Sequence, residues 1–217
     1  MSKKSVFCKG ICLLGAFGIW TVLIQRIDVQ ILGETQTQVG FAALNSWFHA
    51  LTGVHMTLYT ITDWLGLIPV CVCMGFGGLG LYQLIRRKSL RKVDFDILIL
   101  GIYYVIVILG YLIFEMIPVN YRPVLIEGVV EASYPSSTTL LVLSVMPTLD
   151  FQMQCRNRKE TLKWVIHILT VLFSVFMVTG RMICGVHWLT DIVGALFLSG
   201  GLFWLYQGAV LYFGKET

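Results

Sequence analysis

Three residue types that together handle phosphate stand close along the chain: Arg181, His187 and Asp191. Met-Ile-Cys-Gly-Val separates the arginine from the histidine, Trp-Leu-Thr separates the histidine from the aspartate, and a long apolar run follows. With a helix beginning at Trp188, the spacing predicts His187 and Asp191 one turn apart on one face. A carboxylate so placed fixes the tautomer and orientation of an imidazole, as a nucleophilic or basic histidine requires. Arg181 adds a planar fork of donors suited to phosphate oxygens.

The elements that must position these residues are apolar helices. The chain is 57% hydrophobic and 13% charged over 217 residues, with a mean hydropathy of +0.79. Those values exclude an ordinary soluble domain and indicate a polytopic membrane protein. Hydropathy gives six candidate spans at residues 6–24, 64–85, 97–119, 138–153, 164–180 and 188–213. The fourth and fifth are short for a hydrocarbon core about 30 Å thick, and Pro147 and Asp150 interrupt the fourth. No closed-barrel alternation appears, so helices must satisfy the backbone in lipid. The fold expected is all-α: one membrane domain over 1–217, six transmembrane helices and both termini cytoplasmic.

Charge sets the orientation. Cytoplasmic segments would hold Lys3, Lys4, Lys9, Arg86, Arg87, Lys88, Arg91, Lys92, Arg156, Arg158, Lys159, Lys163 and Lys215, and outer ones only Arg26, Arg122 and Arg181. Thirteen against three is a strong positive-inside bias. The net charge of +4 therefore reflects topology, and no basic, stacking surface for nucleic acid is present. The first span lacks a small-residue cleavage site after it and is expected to be an uncleaved anchor. Of the six cysteines only Cys184 falls in an outer loop, which argues against an extracellular disulfide framework, and Cys71 and Cys73 suit plain packing.

Topology also brings polar clusters together. Asn120-Tyr-Arg122-Pro123 and Tyr134-Pro135-Ser136-Ser137-Thr138 lie between the third and fourth spans, and Arg181, His187 and Asp191 lie between the fifth and sixth. All reach the same membrane face. Two guanidinium groups there would neutralise phosphate oxygens in a transition state. His187 would attack phosphorus, Asp191 would hold its ring, and the start of the fourth helix at Ser136, Ser137 and Thr138 would cradle an anion. No metal or cofactor is demanded. In the outer segment 25–63, Phe41, Leu44, Phe48 and Leu51 recur at helical spacing opposite Asn45, His49 and Thr52, which predicts an interfacial amphipathic helix. His49 and His55 would then stand near the pocket, whereas His167 falls mid-span as a packed or hydrogen-bonded core histidine.

These residues resemble the type 2 phosphatidic acid phosphatase family, relatives of the vanadium haloperoxidases. Its motifs are Lys-x6-Arg-Pro, Pro-Ser-Gly-His and Ser-Arg-x5-His-x3-Asp. The third is matched by Gly180-Arg181, His187 and Asp191, with Gly180 for Ser. The first is matched by Arg122-Pro123, with Glu115 in place of Lys. The second is matched by Pro135-Ser136, with Ser137 for Gly and Thr138 for His. The resemblance covers residues 115–191 and implies a lipid phosphatase acting at the outer leaflet of the cell membrane. It implies a lipid phosphate or diphosphate substrate, of isoprenyl diphosphate or phosphatidate type, amid membrane lipids. In the family the second-motif histidine is thought to protonate the leaving group. Thr138 cannot do so, which favours a diphosphate, or Glu115 as a substitute acid. A lipid-phosphate binder or transporter and a phosphotransferase stand as the alternatives, and the oligomeric state is left open.

Overall fold

The computed structural model describes residues 3–214; Lys215, counted above among the cytoplasmic charges, lies outside them. In chain order the elements are α1 (Lys3–Ile24), β1 (Gln30–Leu32), β2 (Thr37–Val39), α2 (Ala42–Thr52), α3 (Met56–Leu65) and α4 (Leu67–Arg87). After a 3₁₀ turn (Leu90–Lys92) come α5 (Phe95–Met116), α6 (Ser137–Arg156), α7 (Glu160–Ile183) and α8 (Leu189–Phe213). The protein is a polytopic helical membrane protein, and the small β1–β2 hairpin is the exception to all-α among the described residues.

Among the described residues, five stretches are long and apolar enough to cross a bilayer: Lys4–Ile24, Met56–Arg87, Phe95–Met116, Glu160–Ile183 and Leu189–Phe213. The second begins earlier than hydropathy places it. α3 extends it back by more than two turns, so residues 56–63 belong to the bundle rather than to an outer loop. α6 does not qualify by composition. Its twenty residues run through Pro147 without ending, and Thr138, Thr139, Ser144, Thr148 and Gln152 are all buried. The reason is position: α6 packs against α4, α5, α7 and α8, so its polar groups meet protein rather than lipid. Tyr103 donates to the Ser144 carbonyl at 2.9 Å, Tyr104 pairs with the Thr148 hydroxyl at 2.8 Å, and Gln152 donates to Tyr206 at 2.7 Å. Such bonds between membrane helices contribute about 1 kcal/mol each.

Apolar packing fills the rest. Leu100, Tyr103 and Val107 of α5, Leu140 of α6, and Ala195, Leu198 and Tyr206 of α8 form the main core cluster. α1 lies antiparallel along α8, with Trp20 donating to the Thr190 carbonyl near one end and Lys9 over Trp204 towards the other. The alternation of helix direction gives the bundle two unlike ends. Arg122 and Arg181 stand at one with the motif residues. The other carries Arg86, Arg87, Arg91, Arg156 and Lys163, where Asp94 bonds Arg87 at 2.7 Å and Arg156 at 3.1 Å, and Asp96 bonds Arg156 at 2.6 Å.

His167 differs from its expected place. It is exposed, one helical stretch into α7 from the far end, and its Nδ1 lies 2.7 Å from Asp150. It is hydrogen-bonded, but it is not a core residue.

Candidate active site at one end of the bundle

Two connections build the site. The α5–α6 segment folds back as a β-like loop in which Arg122 and Ser133 donate to the carbonyls of Glu131 and Asn120 at 3.0 and 2.9 Å. The β1–β2 hairpin braces it, for Glu34 donates to the Pro123 carbonyl and Thr35 to the Arg122 carbonyl, both at 3.0 Å. The α7–α8 segment is a tight turn. Gly185 sits there at φ +72° with its backbone against Gly53, so that a Cβ would fall 2.0 Å from the Gly53 carbonyl oxygen. Only glycine fits that conformation and that approach. The His55 backbone N–H donates to the Cys184 carbonyl at 3.0 Å, and His49 Nε2 donates to the Gly185 carbonyl at 3.1 Å, while the His55 ring bonds the Thr52 carbonyl. Both histidines thus hold the turn from behind and do not fold over the pocket. α2 turns Leu44, Trp47 and Leu51 outward and buries Asn45 against the start of α8, so its polar face meets protein.

His187 precedes α8 rather than lying on it. Its Nδ1 lies 3.2 Å from the Ser133 carbonyl, an acceptor, so Nδ1 carries the proton and Nε2 presents its lone pair. Asp191 Oδ2 is 3.9 Å from Nδ1, too long for a hydrogen bond but close enough to favour positive charge on the ring. The aspartate is wholly buried and committed elsewhere: Oδ2 accepts the Trp188 N–H at 2.9 Å and Oδ1 accepts from Asn120 at 3.0 Å. The expected division of labour therefore changes. A backbone carbonyl fixes the tautomer, and Asp191 supplies field and caps α8. Burial away from water pushes the His187 ring down to about 4, so at neutral pH it is uncharged and nucleophilic.

The two arginines share one aromatic surface. Their guanidinium carbons lie 5.7 Å (Arg122) and 4.8 Å (Arg181) from the Tyr59 ring of α3. Arg122 Nε is 3.1 Å from Glu131 Oε2. Arg181, only 1% exposed, donates through Nη2 to Asp63 at 2.8 Å and to the Thr138 hydroxyl. Arg122 Nη1, Arg181 Nε and Nη1, and His187 Nε2 are buried without partners. Unpaired buried donors are costly, and an anion would satisfy those of the two arginines, while the Nε2 lone pair is left free to attack.

A cavity of about 220 Å³ opens onto this set, lined by Arg122, Glu131, Ser137 and His187 together with Glu115, Tyr111, Phe114 and Tyr134. Arg181 does not line it. It reaches the site behind Thr138, which with Asp63 borders a second cavity of about 300 Å³; Ser137 and Tyr111 border both. Of the residues expected to cradle phosphate, Ser136 faces away: its N–H donates to the Asp191 carbonyl at 3.2 Å and its hydroxyl to Thr139 at 3.0 Å. Ser137 and Thr138 occupy the first turn of α6, where N–H groups and the helix dipole favour anions. Cys184 is inert packing, since burial raises its thiol and its Sγ donates to the Arg181 carbonyl. Tyr59, Asp63, Glu131 and the Ser133 carbonyl carry no motif signal in the sequence, and Asn120 stood only within a polar cluster.

A family model, the PAP2 superfamily, matches residues 97–214, and the chain belongs to that superfamily. Comparison with curated proteins finds no match. Among solved structures, a transmembrane PAP2-type phosphatidylglycerolphosphate phosphatase from Bacillus subtilis superposes with a TM-score of 0.68 at 18% identity, over 96% of this chain and 99% of that one. The fold is thus that of a transmembrane PAP2 protein.

Proposed function

We propose that the protein is a lipid phosphatase in which His187 is the nucleophile. The observation that carries this is the buried, unpartnered Nε2 of His187 beside the unpartnered Arg122 Nη1, facing one cavity at the membrane end of the bundle. The Nε2 lone pair attacks phosphorus, the bond to the leaving oxygen breaks with its electron pair, and water then hydrolyses the phosphohistidine. Arg122, Arg181, Ser137 and Thr138 hold the phosphoryl oxygens, so the positive charge is written without a metal. Asp191 stabilises the imidazolium that forms. Ser136 supports the start of α6 rather than touching phosphate.

Glu115 lines the cavity and has no ion-pair partner among the described residues, and this position beside the site supports it as the acid for the leaving oxygen. Isoprenyl diphosphates and phosphatidate are the leading substrates, the former favoured because a phosphate leaving group needs least protonation. α6 is taken as a sixth span, at about 30 Å for twenty residues, within a single membrane domain. Both termini would then be cytoplasmic, with the site at the outer leaflet of the cell membrane, an orientation supported by the basic residues at the far end.

A phosphate-release assay on purified protein over lipid mono- and diphosphates tests this. His187→Ala should reduce release to background and abolish transfer of labelled phosphoryl to the protein. Glu115→Gln should lower turnover of a monoester by about 10²–10⁴-fold, more than Thr138→Ala does. Release that survives in His187→Ala refutes the nucleophile. Tight binding of lipid phosphate without release in the unaltered protein indicates a binder instead.

A further inference from the structure

Arg122 and Arg181 bring two like charges into one site from different elements, the α5–α6 loop and the end of α7, and both are buried. Each has one carboxylate beside it, yet the Glu131 side chain is 38% exposed and that of Asp63 58%. Ion pairs that open to solvent hold a side chain only weakly. The two guanidinium groups share a further neighbour on α3, the face of Tyr59, 4.8 Å from the Arg181 guanidinium carbon and 5.7 Å from that of Arg122. A ring face attracts a cation without occupying its N–H groups, whereas a carboxylate takes them. Tyr59 therefore suits a site in which Arg122 Nη1 and Arg181 Nε and Nη1 stay unpartnered, ready for phosphate oxygens.

The ring is itself held in place. With Leu58 it packs against the cluster of Val124, Ile126, Cys184 and Val186. Its helix is pressed onto α7 at Gly180, the residue before Arg181, where a Cβ would fall 2.7 Å from the Thr62 methyl. That methyl cannot turn aside, because Thr62 is wholly buried and its hydroxyl donates to the Leu58 and Tyr59 carbonyls at 2.9 and 3.0 Å. Tyr59, Thr62 and Asp63 are spaced to share one face of α3, so the close approach at Gly180 brings both the ring and the Asp63 carboxylate to Arg181. Gly180 stands where the third motif has Ser, and a serine would hold α3 off. We propose that Tyr59 is a positioning residue that gathers Arg122 and Arg181 on one ring with their donors free, an arrangement that Gly180 permits. Its place in catalysis rests on the phosphatase reading; its effect on anion binding does not.

Orthovanadate binding to the purified protein in detergent micelles provides the test, since it needs no turnover. Tyr59→Phe should keep the affinity within about twofold. Phenylalanines with one, two and three ring fluorines at position 59 drain the ring face while barely altering its shape. They should weaken binding step by step, by about tenfold over the series. A flat series overturns the proposal, because packing alone does not respond to fluorine, and an unaltered protein that binds no vanadate overturns it too. Gly180→Ser should weaken binding by a similar factor, and adding Thr62→Ser, which removes only the methyl, should restore it. Full affinity in Gly180→Ser removes the role given to Gly180. Phosphate release from a lipid phosphate, measured alongside, separates the two ideas. A graded series without release keeps Tyr59 in its role and refutes the phosphatase, whereas release with a flat series does the reverse.

Discussion

His187 gathers its properties from neighbours that no spacing rule names. The sequence made Arg122, Arg181, His187 and Asp191 visible, because their side-chain types announce their chemistry. The Ser133 carbonyl that sets the histidine tautomer could not be seen that way, since every residue carries a carbonyl. Tyr59 and Asp63 were hidden for another reason: both lie on α3, which hydropathy had left outside the second span. Burial of His187 leads to a residue-scale prediction. Its ring, held down to about 4, should remain neutral well below the usual histidine value of about 6.5. In a histidine-labelled NMR titration, the signal lost in His187→Gln should therefore have its midpoint about 4, and one near 6.5 would contradict the buried site. The sign for stability follows. As pH falls below about 6.5 the unfolded chain takes a proton that the folded ring refuses, so this contribution is present above that value and lost towards about 4.

At the scale of elements, each helix end presents something to the site, but two short connections decide its geometry. The Gly185 turn is the more demanding. Gly185→Ala would place a methyl in the left-handed region and against the Gly53 carbonyl, at a cost of about 1–3 kcal/mol for the conformation alone. Phosphate release should fall sharply and the apparent Tm should drop; a fully active Gly185→Ala protein would show that the turn is not held as described. Gly194 plays a matching part on α8, where a Cβ would lie 2.4 Å from the Tyr134 ring and disturb the loop that presents Ser133. α6 shows why one element was only partly legible. Hydropathy measures an environment of lipid, and a helix ringed by other helices carries threonines, serines and a glutamine that the scale counts against it.

For the whole molecule, the uneven distribution of charge predicts orientation. An epitope inserted at residues 157–159 should be protected from protease added to intact cells, and one in the 33–36 turn should be cleaved; the opposite pattern would reverse the proposed topology. The apolar helices and the polar end of the bundle were readable from hydropathy and charge, because both are properties of composition along the chain. Which helices touch was not readable, because lipid-facing and protein-facing apolar residues look alike. One contact at the far end has a mechanical consequence. Gln83 and Arg87 of α4 and Arg156 of α6 all bond Asp94 at the foot of α5. At the other end α3, α4, α5 and α6 meet around the 300 Å³ cavity through largely apolar side chains such as Leu67, Val107 and Leu140. The bundle is therefore fastened like a pair of tongs, tied at the handle by the bonds to Asp94, while at the tips Arg181 ties α7 to α3 and α6 and the α4–α5 side stays apolar. Parting α4 from α5 at the tips breaks no ion pair of the Asp94 tie, so the apolar gap there would widen while the handle kept its spacing.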